Sequence, residues 1–454
     1  MTAPTAAVRV SGQLTAPVLL CAVAVVICVS SLVALGVRGV DQPGAAAAFG
    51  AVIAFGEAIR IALPQGRDSA PLASTAVIGY ALCVSIDGRR TTYGVAEVIA
   101  VSTLATVLGV LVQMYAGRQA RPGYVARRIV IAGFTALVFR VWLARGPARG
   151  LLDLHDESML AVVLAAVAVC AVLLDHLLGT VLAQLERARV NGVGAGPSRW
   201  DPAGLAPWPR PNPTLRRLLA AFGDDCMATA WVCPTVVLFA VAIALGADPL
   251  GLWVLPIGAA PILVVQRSLR RYAEISATYQ QTIRALSRIT DLADYTENGH
   301  ARRVCHLALA IGRDLSLSDP QLLDLEYAAL LHDIGQLSLT DPIPGGATVL
   351  IAPERAASVA SLGAAVVRQT GVLDRVADIM ERQVEPYRAD LAGQPVALAA
   401  AIIRTANAYD DLVGGSADQD VRLAALRRIR HGLAAQYDPR VVEALTRIVE
   451  AAAP

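Results

Sequence analysis

The chain has 454 residues, 55% of them hydrophobic, 17% charged and 5% aromatic, with a formal net charge of +2 at pH 7. Globular domains carry about 45–50% apolar residues, so a mean hydropathy of +0.53 excludes an ordinary soluble enzyme. A near-neutral charge also gives no electrostatic footprint for a nucleic-acid polymer.

The excess of apolar residues is uneven and divides the chain into a membrane half and a soluble half. Lysine is absent and every side-chain cation apart from histidine is arginine. With so much alanine, glycine and proline, this is the composition of a GC-rich bacterial genome and carries no functional message. The seven cysteines, Cys21, Cys28, Cys83, Cys170, Cys226, Cys233 and Cys305, form no CxxC pair. Several lie in apolar stretches, so they read as reduced packing residues rather than a disulfide framework or a zinc site.

After a short N-terminus (1–15), expected in the cytoplasm, the apolar segments begin. Crossing a bilayer takes about 20 apolar residues, and eight stretches are candidates: 16–37, 44–64, 70–86, 93–117, 128–144, 158–184, 228–246 and 249–269. The third and fifth are short, which leaves six or seven spans open. The first is too long, and too poor in small residues at a cleavage position, for a signal peptide. Arginine placement orients the bundle. Arg118, Arg121, Arg127 and Arg128 share one loop, Arg187, Arg189, Arg199, Arg210, Arg216 and Arg217 another, and Arg267, Arg270 and Arg271 follow the last span. Eight spans put all three clusters on the same side as Arg9, with both termini in the cytoplasm of a bacterial inner membrane. The cytoplasmic loop at 185–227 is rich in Pro, Gly and Arg, and its stretch 191–213 is expected to be irregular. Within the spans stand Glu57 and Arg60, three apart on one helical face, then Glu97, Arg140 and Asp175–His176. Ionisable groups at membrane depth are costly and mark either a ligand pathway or structural ion pairs. Both readings stay open.

Residues 270–295 form a connecting signalling helix. Tyr272, Ile275, Tyr279, Thr282, Leu286, Ile289 and Ala293 alternate at spacings of three and four, a heptad seam. Either it pairs two copies in a parallel homodimer, or its later half is the first helix of the soluble domain.

In 291–341 an apolar helix (Leu322, Leu325, Ala328, Ala329) delivers His332–Asp333 at its end, just before Gly335, and His300 arrives from the preceding helix. Imidazole and carboxylate without thiolate suit Fe, Mn, Zn or similar ions that activate water. A lone His-Asp pair is weak evidence; its context is stronger. The stretches DYTENGHARRV, AALLHDIGQLSLTD, TANAYDDL (405–412) and AAQYDPRVVEAL (434–445) resemble, in order, the motifs of the HD superfamily of metal-dependent phosphohydrolases. More specifically, they resemble the HD-GYP branch of cyclic di-GMP phosphodiesterases, over about 280–446.

The resemblance implies an all-α HD domain over 296–454, behind a polytopic helical bundle over 16–269. It also implies a metal set of His300, His332, Asp333 and Asn407, with His332 and Asp333 carrying catalysis and Gln336 at the phosphate-contact position. Several of these depart from the family pattern. Asn407 replaces an aspartate and Gln336 a lysine. The family's next histidine, in an HPxxG pattern, falls on Val359 before Gly363, and its His-His-Glu falls on Gln383–Val384–Glu385. The GYP tract is shortened to Pro386, Tyr387 and Arg388. Glu297 and Glu385 are carboxylates near enough in sequence to compensate.

These departures imply at most one divalent ion, Fe, Mn or similar. The leading expectation is a membrane signalling protein with a regulatory pseudoenzyme domain that meets a cyclic dinucleotide or a protein partner. An active mononuclear phosphohydrolase, with metal-activated water attacking a phosphodiester, is the first alternative. A transporter-like or structural membrane protein with a vestigial domain is the second.

Overall fold

The computed structural model describes residues 16–63, 67–119, 121–143, 157–189, 215–230, 232–292, 295–339, 343, 351–388, 394–416, 418–432 and 436–451. The fold is all-α, with two short hairpins as the β structure among the described residues. The chain divides into two compact units, Met1–Leu185 with Asp225–Glu274, and Glu186–Asp224 with Ile275–Pro454.

In the first unit each of the eight apolar stretches holds a helix: α1 (Ala16–Arg38), α2 (Pro43–Ala58), α3 (Pro71–Leu82), α4 (Val95–Tyr115), α5 (Pro122–Ala136, continued by a π-helical segment Leu137–Leu143), α6 (Glu157–Arg189), α8 (Val232–Leu250) and the start of α9 (Val254–Leu292). Among the described residues, four segments are long and apolar enough to cross a membrane: Pro17–Arg38, Val95–Tyr115, Ser158–Gln184 and Val232–Ile289, the last holding two helices. Helices α2 and α3, at 16 and 12 residues, fall short of the roughly 20 that a bilayer requires.

The expected spans 44–64 and 70–86 therefore run too far. After α2 the chain turns into an antiparallel hairpin, β1 (Ile61–Leu63) with β2 (Arg67–Ser69), and after α3 into β3 (Ser85–Ile86) with β4 (Arg89–Arg90). In the second hairpin Asp87 (φ 53) and Gly88 (φ 70) are both left-handed, the two-residue Asp-Gly geometry whose twist matches paired strands. The expected loop at 185–227 is likewise shorter than anticipated. Helix α6 runs to Arg189, and α7 occupies Leu215–Ala228, where Leu215, Leu218, Leu219 and Phe222 recur at helical spacing. The irregular stretch 191–213 and the N-terminus 1–15 lie outside the described residues.

Most of the buried ionisable groups of this unit are paired within it. Glu57, fully buried, accepts from Arg128 Nε at 2.8 Å and from Tyr124 Oη at 2.7 Å. Arg60 does not share a helical face with Glu57, because α2 has already ended. Its guanidinium lies over the Tyr124 ring, 4.6 Å from the centroid, and 3.8 Å from Asp68. Glu97 accepts from the Asp41 amide at 3.0 Å and from Tyr80 Oη at 3.4 Å. Arg140 donates to the carbonyls of Tyr93, Tyr80 and Cys83 at 3.0, 3.2 and 2.9 Å, satisfying backbone where α3 gives way to its hairpin. Helices α2 and α4 meet at Gly109, where an added Cβ would fall 2.4 Å from Glu57 Cβ.

The second unit is an α-helical domain. It comprises α10 (His300–Asp314), α11 (Asp319–Leu331), α12 (Pro353–Arg368), α13 (Asp374–Arg382), α14 (Pro395–Val413), α15 (Gln419–His431) and α16 (Pro439–Ala451). Their amphipathic faces close on one core that includes Ile311, Leu325, Met380, Ile402, Val441 and Leu445. The end of α9 joins it through Ile283, 3% exposed, and the partly buried Leu286. The heptad seam is thereby split. Tyr272, Ile275, Tyr279 and Ile289 are exposed, Leu286 faces the core, and Ala293 lies outside the described residues.

Candidate metal site in the C-terminal unit

The site begins with α11. Its N-terminus is fixed by a reciprocal capping box, with Ser318 Oγ accepting from the Gln321 amide and Gln321 Oε1 accepting from the Ser318 amide, which satisfies two otherwise orphaned donors. Buried Leu325, Ala328 and Ala329 anchor the helix in the core, so its C-terminal end is held where His332 and Asp333 emerge. Asp333 then stands immediately before a short 3-10 turn, Ile334–Ser338, without a capping hydrogen bond from its side chain. Gly335 lets that turn lie against α12: a Cβ there would meet the Val359 carbonyl oxygen at 2.0 Å and the Gly363 nitrogen at 2.8 Å. The turn carrying the His-Asp pair thus rests directly on a neighbouring backbone.

The orientation of the imidazoles follows from their hydrogen bonds. His332 Nδ1 lies 2.9 Å from the Ala329 carbonyl, so Nδ1 carries the proton in the neutral ring and Nε2 is the free lone pair. His300, the first residue of α10, sets Nδ1 2.8 Å from Asp410 Oδ2. Asp410 is in turn gripped by Arg303, Nε to Oδ1 at 2.9 Å and Nη2 to Oδ2 at 2.8 Å. Both Nε2 atoms turn to the same carboxylate oxygen, Asp333 Oδ2, at 3.3 Å from His300 and 3.2 Å from His332. Asn407 Oδ1, from α14, lies 3.3 Å from His332 Nε2. The ligand atoms of His300, His332 and Asp333 all lie within 4.8 Å of one another, and all three residues are buried.

Burial by itself would drive protons off His300, but its bonds to Asp333 and Asp410 outweigh that and raise its pKa to about 10. His332 is raised in the same way: burial lowers it, while Asp333 beside it raises it more. Burial would raise Asp333 and Asp410, yet the imidazoles, and for Asp410 also Arg303, hold both carboxyls below the ordinary range. Without a metal the cluster therefore stores protons.

A divalent ion fits these residues on a structural observation. His300 Nε2 and Asp333 Oδ2, although 3.3 Å apart, are buried without a well-aligned hydrogen bond, and buried polar atoms are rarely left so. His300, His332 and Asp333 would hold the ion, with the Asn407 carbonyl oxygen as a neutral fourth donor. Such an ion supplies Lewis acidity toward water and a phosphoryl oxygen. Asp410 and Arg303 position His300, in the manner of the outer carboxylates that orient metal-binding histidines.

The remaining positions singled out in the sequence are placed as follows. Gln336 is fully buried, so its amide would have to emerge to meet a phosphate. Val359 is buried with its backbone against Gly335. Gln383 Nε2 donates to the His332 carbonyl at 3.0 Å, bracing the site through the backbone. The two glutamates expected as substitutes join neither histidine. Glu385 is exposed and paired with Arg382 at 3.2 Å, and Glu297, half exposed, pairs with Arg303 at 3.2 Å. What sequence reasoning missed is Asp410, with Asp411 4.0 Å from His300 Nδ1. The signal was present, since Asn407 and Asp410 are three apart and share one face of α14.

The sequence around this geometry is similar to known proteins. Residues 284–441 match the HD domain family. That stretch, about a third of the chain, is similar to an HD domain. The chain is 26% identical over 196 residues to the cyclic di-GMP phosphodiesterase response regulator RpfG of Xanthomonas campestris pv. campestris, covering 40% of this chain and 51% of that protein. It is 37% identical over 84 residues to a cyclic di-GMP phosphodiesterase of Pseudomonas aeruginosa, covering 18% of this chain and 20% of that one. The chain thus spans about half the length of one relative and a fifth of the other. No solved structure matches it at comparable significance.

Proposed function

We propose that the protein is a multi-pass signalling protein of the bacterial inner membrane whose cytoplasmic HD domain is a regulatory pseudoenzyme of the cyclic di-GMP phosphodiesterase kind. The observation that carries this reading is the donor set. Three ligands converge, Asn407 stands as a neutral fourth, and the positions for further imidazoles hold Val359, Gln383 and Val384. A two-metal phosphodiesterase clamps attacking and leaving oxygens between ions about 3.5–4 Å apart, and two valines with one amide, Gln383, whose Nε2 is engaged with the His332 carbonyl, replace the imidazoles of a second ion with apolar groups and a weak neutral donor. Membrane anchoring is supported by the four long apolar segments and by exposed apolar rows such as Val25, Val26, Val29 and Val33 on α1, which have no reason to face water. The exposed Tyr272, Ile275 and Tyr279 support a homodimer along α9, through which the bundle passes its state to the HD domain.

One observation favours a second reading. The convergent ligand atoms of His300, His332 and Asp333 supply a mononuclear site able to support slow phosphodiester hydrolysis. Full-length protein in detergent, incubated with cyclic di-GMP and Mn²⁺ or Fe²⁺, separates the two. The pseudoenzyme reading expects turnover at the level of a protein-free control. Metal-dependent turnover that disappears in His332→Ala would establish the mononuclear hydrolase instead.

A further inference from the structure

Away from the HD domain, α6, α7 and α8 bring three reactive groups to one wall of a cavity within the first unit. Cys233 Sγ lies 3.0 Å from His176 Nε2, and His176 Nδ1 lies 2.8 Å from Asp225 Oδ2. Thr229 Oγ1, one turn before the cysteine, is 3.6 Å from the sulfur and donates to the Asp225 carbonyl at 2.7 Å. A nucleophile within reach of a base, and a carboxylate that fixes the tautomer of that base, is the arrangement of covalent acyl-transfer sites, recognised by geometry rather than by fold.

Two further features point to a ligand. All three residues line a cavity of about 80 Å³, well above the roughly 10–15 Å³ that admits one water, and large enough for a short acyl group. The same cavity is lined by Arg128, which is 6% exposed. It spends Nε on Glu57 and Nη1 on Ser74, while its buried Nη2 has no partner. A fixed guanidinium in the wall opposes a metal cation but suits an oxygen on which negative charge develops. Ile78, Val232 and Val236 give the cavity an apolar side.

We propose that Cys233, His176 and Asp225 form a second site, in which the Cys233 thiol accepts a short acyl group from an acyl thioester. His176 Nε2 takes the thiol proton as Sγ attacks the carbonyl carbon, and Arg128 Nη2 receives the charge on the carbonyl oxygen. The sulfur–carbon bond to Cys233 forms, the bond from carbon to the carrier sulfur breaks, and the imidazolium returns its proton to the departing thiolate. The products are Cys233 thioester and free carrier thiol, with no oxidant or reductant required. Asp225 positions the imidazole throughout. An acyl group so placed fills the cavity and gives the bundle a covalent input independent of the HD domain.

The test uses full-length protein in detergent with butyryl-coenzyme A, read by peptide mass spectrometry. Cys170, exposed on α6, serves as the reference for spontaneous acylation. Cys233 is expected to gain one butyryl group, removable by neutral hydroxylamine, at least tenfold faster than Cys170. Both His176→Gln and Asp225→Asn are expected to bring the Cys233 rate down to that of Cys170 while leaving Cys170 itself unchanged, which also reports an intact fold. No adduct on Cys233, an adduct formed no faster than on Cys170, or a rate indifferent to both substitutions would overturn the proposal.

Discussion

The two units of this chain bury charge in different ways. In the first, Glu57 meets Arg128 and Tyr124, Arg140 meets three carbonyls, and Glu97 meets an amide and a phenol, each group answered by its complement. In the C-terminal unit Nε2 of His300, Nε2 of His332 and Oδ2 of Asp333 face one another instead. A complementary pair has its charge balanced within the fold, even where one nitrogen, such as Arg128 Nη2, is left without a partner. A convergent set is finished only when a proton or a metal ion is added. The effects expected of substitutions differ accordingly.

The largest effect is expected where complementarity is broken. Glu57→Ala leaves the Arg128 guanidinium buried beside Tyr124 without its carboxylate. Removing one partner of a buried pair costs about 3–5 kcal/mol, so the variant should unfold at much lower temperature in detergent, with metal content per folded chain unchanged. If Glu57→Ala melted like wild type, the pair would not be what holds α2 to α5. Next in size is Gly335→Ala. The new methyl would occupy the Val359 carbonyl oxygen, and overpacking of this kind costs about 1–3 kcal/mol. Because the displaced turn carries Asp333, both stability and metal content should fall, measurable by thermal denaturation and elemental analysis on the same sample.

Smaller again is the effect of Asp410→Asn, which leaves the ligand atoms in place but loosens the tautomer and orientation of His300. Outer partners of metal ligands typically affect affinity by about 10–100-fold. A competition titration with a chelating dye should show that loss with little change in melting temperature. An unchanged affinity would make Asp410 only a salt-bridge partner of Arg303.

The smallest effect per unit is that of pH, and it should run in opposite directions for the two states of the domain. His300 lies near 10 in the metal-free protein against an ordinary 6.5. A raised pKa contributes stability that is complete below about 6.5 and lost as pH rises through about 10, so the metal-free domain should weaken across that interval. A metal must displace the same proton, so its affinity should rise over the interval by up to about tenfold per pH unit. Metal affinity flat between pH 6.5 and 9 would show that His300 is not a ligand.

How much of this was legible in advance differs between the units for a physical reason. Apolar runs mark helices, and each of the eight stretches holds one. Their ends were overrun wherever a hairpin begins with residues as apolar as the helix before it, as in Ile61–Leu63. The Asp87–Gly88 pair carries the residue signal of such a turn. In the HD domain His300, His332 and Asp333 were legible because the motifs place them, and the structure brings their ligand atoms together. The role of Asp410 was not, because it acts across 110 residues of sequence, and spacing along one helix does not reveal a partner on another. Glu297 and Glu385 misled for the converse reason, lying near the motifs in sequence while their carboxylates serve Arg303 and Arg382.

Among the described residues of the C-terminal unit one His-His-Asp ligand set converges, that of His300, His332 and Asp333, and a single metal ion is what it is proposed to hold. Elemental analysis of full-length protein, purified in detergent after growth with added Fe and Mn, tests it most directly. No more than one equivalent of transition metal per chain is expected, lost in His300→Ala and raised in occupancy by Asn407→Asp. Two or more equivalents per chain in the unmodified protein would contradict it.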